Sequence, residues 1–233
     1  GFGNVGRNTC RALSEDGVKI ICVSEREGMV LNEKGINIEN LIQYKEEKGT
    51  IVGFSDGKFN QDPTNSLFVD CDILIPAAIE NAIVLDNVKN VKAKLICEAA
   101  NGPITYRADK ELVKRNIPIL PDIYANAGGV AVSYFEWIRN ISHIRLGRMN
   151  RRYEENRGQE IVNAINQLTD KKLPSNTVKS IVYGAKEEDI VNSALEDTMR
   201  VAFQEIIELK NAYNISTYRT AAYGIAIKKL EKS

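Results

Sequence analysis

The sequence predicts an α/β chain, a doubly wound and mostly parallel sheet followed by an all-helical C-terminal part. Three observations carry that prediction. Strand-length apolar runs alternate with helical stretches over the first 137 residues. Those runs are continuously apolar, as strands covered on both faces are. Beyond residue 128 the apolar period changes for good, to the three-four spacing of helices.

The elements follow in order. Asn4 to Asp16 carries Val5, Cys10 and Leu13 at helical spacing, and Gly17 ends it. Lys19 to Ser24 is an apolar, β-branched run of strand length. Ile38 to Lys48 reads as a helix stopped by Gly49, and residues 50–70 read as loop around Gly53, Asp56-Gly57 and Asp62-Pro63, with at most a short strand. Asp72 to Pro76, Ala93 to Cys97 and Ile117 to Leu120 are buried strands, with a helix from Ala108 to Arg115 before the last. Gly129 to Arg145 is helical and rich in aromatics (Tyr134, Phe135, Trp137). Residues 145–178 are charged and punctuated by Pro174; helices then run over Glu187–Asn211 and Thr217–Lys232. The implied organisation is an α/β domain over 1–137, a helical insertion over 138–185 and C-terminal helices over 186–233.

Composition bounds the function classes. The 233 residues suit one large domain or a domain with an appendage, and the 31 basic and 31 acidic side chains cancel. That balance removes the field that general nucleic-acid or anionic-membrane binding needs, and no run of about 18 apolar residues is present to span a bilayer. One histidine and four scattered cysteines without a CxxC argue against structural zinc, so no metal is expected. The cysteines read as reduced, buried thiols. The chain opens on Gly1, inside a motif, so the sequence is expected to be a fragment and a targeting segment cannot be assessed.

That motif is Gly1-Phe2-Gly3-Asn4-Val5-Gly6, a GxGxxG opening a helix. Gly1 allows a tight turn, Gly3 lets a pyrophosphate approach the backbone, and Gly6 lets helix and strand pack closely; the helix N-terminus adds free N–H groups. The pattern is Rossmann-like, with the strand before it cut off. An acid about 20 positions on should accept from the adenosine ribose, and Glu25 stands at the end of the second strand. A solvated loop acid is the alternative, and Glu27 next door shows how common acids are here. Glu25 leans toward NAD because a 2′-phosphate would meet like charge; Arg26 could offset that, which keeps NADP open.

Three further segments fall where strands end, the ligand edge of such folds: Pro76-Ala77-Ala78, Glu98 to Pro103, and Tyr124 to Val130. Small residues there let a flat ring approach the backbone. Asn101 and Asn126 can both donate to and accept from a carboxamide, so they could orient a nicotinamide, although Asn-Gly and Ala-Gly-Gly are also ordinary turn chemistry. Ser133, one turn into the following helix on the face of Gly129 and Val130, could hold a substrate carboxylate; a back-bonded surface serine is the alternative.

GFGNVG, CDILIPAA, EAANGP and above all NAGGVAVSYFEW resemble the glutamate dehydrogenase family of amino-acid dehydrogenases, and KEEDIV, ALEDTM and YRTAAY fit it as well. The resemblance covers essentially the whole chain. It implies a nucleotide-binding domain whose preceding substrate domain is absent, and oxidative deamination of L-glutamate to 2-oxoglutarate and ammonia with NAD or NADP, NAD favoured. Gly1, Gly3 and Gly6 match the pyrophosphate loop, Glu25 the ribose acid, and Asn101 and Asn126 residues near the nicotinamide, with Phe2, Asn4, Val5, Ala77 and Ala78 beside them. Ser133, with Val130, matches the binding site for the glutamate side-chain carboxylate. The resemblance places the catalytic lysines and aspartate in the missing half, so this chain alone is expected to be inactive.

It also implies a homo-hexamer assembled through helical regions and a mitochondrial-matrix location. Residues 140–185 resemble a shortened form of the antenna of animal and protist members. Arg145, Arg148, Arg151, Arg152 and Arg157 fall there and read as a solvated face interleaved with Glu154 and Glu155. At the positions matching the family's GTP site Arg11 keeps an arginine, but Glu15 stands for the second arginine and Asn192 for the histidine. Val201 or Gln204 replaces the ADP-contacting arginines, so regulation by these nucleotides is not expected. His143 matches no catalytic position and reads as structural. A leucine, valine or phenylalanine dehydrogenase relative remains open, as does a non-catalytic, dehydrogenase-derived structural subunit.

Overall fold

A computed structural model describes residues 1–142, 148–169, 171–183 and 187–231. His143, Arg145 and Lys186 lie outside the described residues. The chain divides into two compact units, Gly1–Ala127 with Phe203–Ser233, and Gly128–Ala202.

The first unit opens with α1 (Asn4–Glu15), which stops where Gly17 turns left-handed at φ 80°. β1 (Cys22–Glu25) and β2 (Gly28–Leu31) form an antiparallel hairpin across Arg26 and Glu27, and β3 (Lys58–Asn60) pairs antiparallel with β2. Between them α2 (Ile38–Lys48) is capped by the Asn37 side chain, which accepts from Asn40 N at 3.0 Å, and ends at left-handed Gly49. Leu41 and Ile42 of α2 pack on Val23, Val30, Ile51 and Phe2, a core directly beneath the glycine loop.

A second sheet holds β4 (Ile73–Leu74), β5 (Leu95–Cys97) and β6 (Ile119–Leu120), parallel and in that order. α3 (Tyr106–Lys114) crosses between β5 and β6 and buries Ala108 and Leu112 against Ile83, Val91 and Ile96. The short α4 (Asp122–Ala125) follows β6.

The parallel sheet and the α/β class agree with the sequence reading. Among the described residues the hydrogen-bonded strands group into two sheets of three, one antiparallel and one parallel. A turn of two residues can join only antiparallel strands, so the run after Glu25 folds back as β2. The strand expected from Lys19 is also shorter. Ile20 and Ile21 instead present their carbonyls to Ile36 N and Asn32 N, both at 2.8 Å.

The second unit contains α5 (Gly128–Ser142), α6 (Arg148–Thr169), α7 (Ser175–Val182) and the start of α8 (Glu187–Ala212). α6 and α7 meet at Gly158, where an added Cβ would lie 2.4 Å from the Ile181 carbonyl oxygen. The end of α8 and the last helix, α9 (Tyr218–Glu231), belong to the first unit, where Ile206, Ala221 and Ala222 form a small core with Tyr124. No helix among the described residues is long and apolar enough to cross a membrane.

Candidate functional site

The glycine loop and the start of α1 form one wall of the candidate site. Gly3 is the N-cap and makes no side-chain cap, and the first intrahelical bond runs from Arg7 N to Gly3 O at 2.8 Å. The preceding N–H groups of the first turn therefore have no carbonyl of the helix to bind, and with the helix dipole they favour an anion. The three glycines differ in what a side chain would meet. A Cβ on Gly6 would lie 1.7 Å from the Gly1 carbonyl oxygen, and one on Gly1 would lie 2.7 Å from Ala78 Cβ. At Gly3 nothing lies within 4 Å, which leaves open space over the backbone. Ala77 lines the same contact, with its Cβ 3.7 Å from the Gly6 position. Asn4 and Val5 are exposed, whereas the Phe2 ring is buried and offers only its backbone.

Beside this loop a cavity of about 200 Å³ is lined by Phe2, Gly3, Asn4, Arg7, Ile42, Lys45 and Glu46. Glu25 stands at the tip of β1 with its Oε1 ion-paired to Lys45 Nζ. Lys45 reaches across from α2, also donates to the Phe2 carbonyl oxygen at 2.9 Å, and lies 5.6 Å from the Phe2 ring centroid. The cation that meets Glu25 is thus Lys45; its neighbour Arg26 is exposed. Sequence reasoning passed over Lys45 because it comes from the last turn of a helix twenty positions on, and its helix-end position is unremarkable without the fold. Arg7 pairs with Glu46 at 3.2 Å through Nη1, while its Nε is buried with no hydrogen-bond partner among the described residues.

Glu27 has different partners from Glu25. It accepts from Thr50 Oγ1 at 2.6 Å and from Ile51 N at 3.2 Å, and the Thr50 hydroxyl holds its carboxyl below the usual carboxylate range. Its acidity serves the loop, leaving Glu25 as the strand-end carboxylate beside the cavity-lining Lys45.

The strand-end segments of the parallel sheet converge. Ala99 N and Ala100 N both donate to the Pro76 carbonyl oxygen, at 3.1 and 2.8 Å, which ties the Pro76–Ala78 turn to the Glu98–Pro103 loop. Asn126 Nδ2 donates to Asn101 Oδ1 at 2.7 Å, so the two expected asparagines form a pair. Ser133 and Val130 lie in the second unit. Val130 is 74% exposed, and Ser133 Oγ donates to the Gly129 carbonyl oxygen at 2.9 Å, the back-bonded state. Its hydroxyl proton must leave Gly129 before it can meet a carboxylate. Arg11, at the position compared with the GTP site, is held by Glu39 at 2.7 Å. Among the described residues no group of three or more His, Cys, Asp or Glu side chains could hold a metal ion.

The first unit thus holds an uncapped helix start, a strand-end carboxylate with its lysine, and a pair of asparagine amides at the strand ends. Comparison with known proteins gives the chemistry a family. Residues 1–186 match the family model described as Glutamate/Leucine/Phenylalanine/Valine dehydrogenase. The chain belongs to that family. A mitochondrial glutamate dehydrogenase of Dictyostelium discoideum is 45% identical over 231 residues, 99% of this chain and 46% of that one. A probable glutamate dehydrogenase of Sinorhizobium fredii is 43% identical over 232 residues, 99% of this chain and 52% of that one. An NADP-specific glutamate dehydrogenase of Saccharolobus shibatae is 48% identical over 144 residues, 61% of this chain and 33% of that one. The crystal structure of glutamate dehydrogenase from Peptoniphilus asaccharolyticus superposes with a TM-score of 0.68 at 30% identity, covering 99% of this chain and 44% of that one. The chain spans about half the length of the first two relatives.

Proposed function

We propose that this chain is the cofactor-binding half of a glutamate dehydrogenase that converts L-glutamate to 2-oxoglutarate and ammonia with NAD or NADP. The observation that carries the reading is the uncapped, glycine-lined start of α1 next to the Glu25–Lys45 pair, on a chain of this family. A bound dinucleotide supplies a nicotinamide that takes up hydride, and the protein supplies orientation and electrostatics. Gly1, Phe2, Gly3, Asn4, Val5 and Gly6 would hold the diphosphate through backbone N–H groups, with Ala77 and Ala78 packed behind the loop. Asn101 and Asn126 would orient the carboxamide. Ser133 and Val130 would contact the substrate once the serine hydroxyl rotates away from Gly129.

The names of the Dictyostelium and Sinorhizobium relatives favour glutamate over leucine, valine or phenylalanine as substrate. The reading extends to a homo-hexamer, with residues 138–185 as an antenna-like insertion, and, from the name of the Dictyostelium relative, to the mitochondrial matrix. Catalytic residues would come from outside these 233 residues.

The cofactor choice turns on one ion pair. Glu25 favours NAD because its carboxylate can accept from ribose hydroxyls. A 2′-phosphate would have to compete with that carboxylate for Lys45, and both cofactors stay accessible because Lys45 offsets the charge. In the full-length protein, Glu25→Ala should weaken NAD binding about tenfold and leave NADP binding unchanged or tighter, as read by titration calorimetry. Equal losses for both cofactors would contradict the ribose assignment.

A further inference from the structure

The residue that organises the asparagine pair comes from the far end of the chain. Arg219, in the first turn of α9, gives one nitrogen to each of three carboxylates. Nε donates to Asp109 Oδ2 at 2.8 Å, Nη1 to Asp122 Oδ1 at 3.2 Å, and Nη2 to Glu98 Oε1 at 2.8 Å. Glu98 is fully buried, and the guanidinium is 24% exposed. Burial opposes its charge, yet Glu98 and Asp109 outweigh that and hold the guanidinium above its usual pKa.

The acceptors pass the constraint onward. Glu98 Oε2 accepts from Asp122 N at 2.8 Å, which fixes the first residue of α4. Asp122 Oδ2 in turn accepts from Gly102 N at 2.8 Å, beside Asn101 in the loop. At the other end of α4 sits Asn126, whose backbone N donates to Asp122 O at 3.2 Å. Both asparagines therefore hang from Asp122, which Arg219 and Glu98 clamp on two sides. Only a planar fork can reach three carboxylates on three segments, whereas lysine donors radiate from a single atom.

We propose that Arg219 is a positioning residue of the cofactor site, holding Asn101 and Asn126 in the geometry that receives the nicotinamide carboxamide. The proposal rests on the reading of that pair as nicotinamide-facing. Groups behind a ligand-contacting shell commonly tune affinity by about tenfold or more when removed.

The test compares NADH with ADP-ribose, which carries the adenosine and diphosphate but no nicotinamide, in the full-length protein. Arg219→Lys is expected to weaken NADH about tenfold while ADP-ribose stays within about twofold. Loss of both affinities in equal measure, or of neither, overturns the proposal. Because Arg219→Lys also leaves buried acids short of donors, Glu98→Gln is measured beside it. The amide keeps the volume but retains one acceptor oxygen where two are used, and the same nicotinamide-selective loss is expected. A folded Glu98→Gln protein with wild-type affinity for NADH overturns the proposal. Asn126→Ala separates the two levels. If it leaves NADH binding intact, the nicotinamide reading fails and takes this proposal with it. If it weakens NADH selectively while the Arg219 and Glu98 variants do not, the pair keeps its assignment and Arg219 loses its own.

Discussion

Glu25 ends β1 and Glu27 lies in the hairpin turn that follows, and their surroundings separate them more sharply than their spacing does. Thr50 and Ile51 both donate to Glu27 Oε1, while Glu25 shares Lys45 with the Phe2 carbonyl. The cysteines show the same dependence on surroundings. Burial pushes the Cys22 thiol up to about 12, with Cys71 nearby adding to it, and the Cys10 thiol up to about 11. A raised thiol pKa means that the unfolded chain gives up its proton first. Stability is therefore complete below the unfolded value of about 8.5 and falls as pH rises through the folded value. The expected outcome is a denaturation midpoint that declines above about pH 9, less steeply in Cys22→Ala. Parallel slopes for the two proteins would show that Cys22 does not contribute.

Among the elements, α2 was legible from its apolar spacing and from Gly49 at its end, whereas the cap at its start emerges from the structure. Asn37 accepts from Asn40 N, and Gly49 takes φ 72°. Asn37→Ala should cost about 1 kcal/mol by urea denaturation, and Asn37→Asp should restore most of it, because a carboxylate also caps. A neutral Asn37→Ala would mean that the helix end is held by packing. β2 was not legible. Gly28 to Leu31 follows Arg26-Glu27, which is not one of the turn pairs that announce a hairpin. Gly28 is needed for a different reason, since a Cβ there would sit 2.3 Å from the Asn60 carbonyl oxygen of β3. The glycine loop and the strand-end asparagines were readable because their spacing is local. Lys45 was not, since only the folding of α2 over the loop carries it to Glu25.

At the scale of the whole molecule, the sequence signals the change from α/β to helical but gives no hint that the chain comes back. Phe203–Ser233 rejoins Gly1–Ala127, and Arg219 finds Glu98 across 121 positions. No periodicity encodes a contact of that range. Ending the chain after Asn214 removes α9 and leaves Glu98 without its guanidinium. Loss of one partner of a buried pair costs about 3–5 kcal/mol, so the truncated protein should melt well below the intact one by calorimetry. Adding Glu98→Gln to the truncation should recover part of that loss, and an unchanged melting temperature after truncation would show that the clamp contributes nothing to stability.

The same return of the chain has a consequence during synthesis. A ribosome delivers the glycine loop some two hundred codons before Arg219. In that interval the nascent polypeptide carries a carboxylate destined for the interior and no cation to meet it. The corner that holds Asn101 and Asn126 should then set only after Arg219 has left the ribosome, so that chaperones encounter the early segments before it is finished.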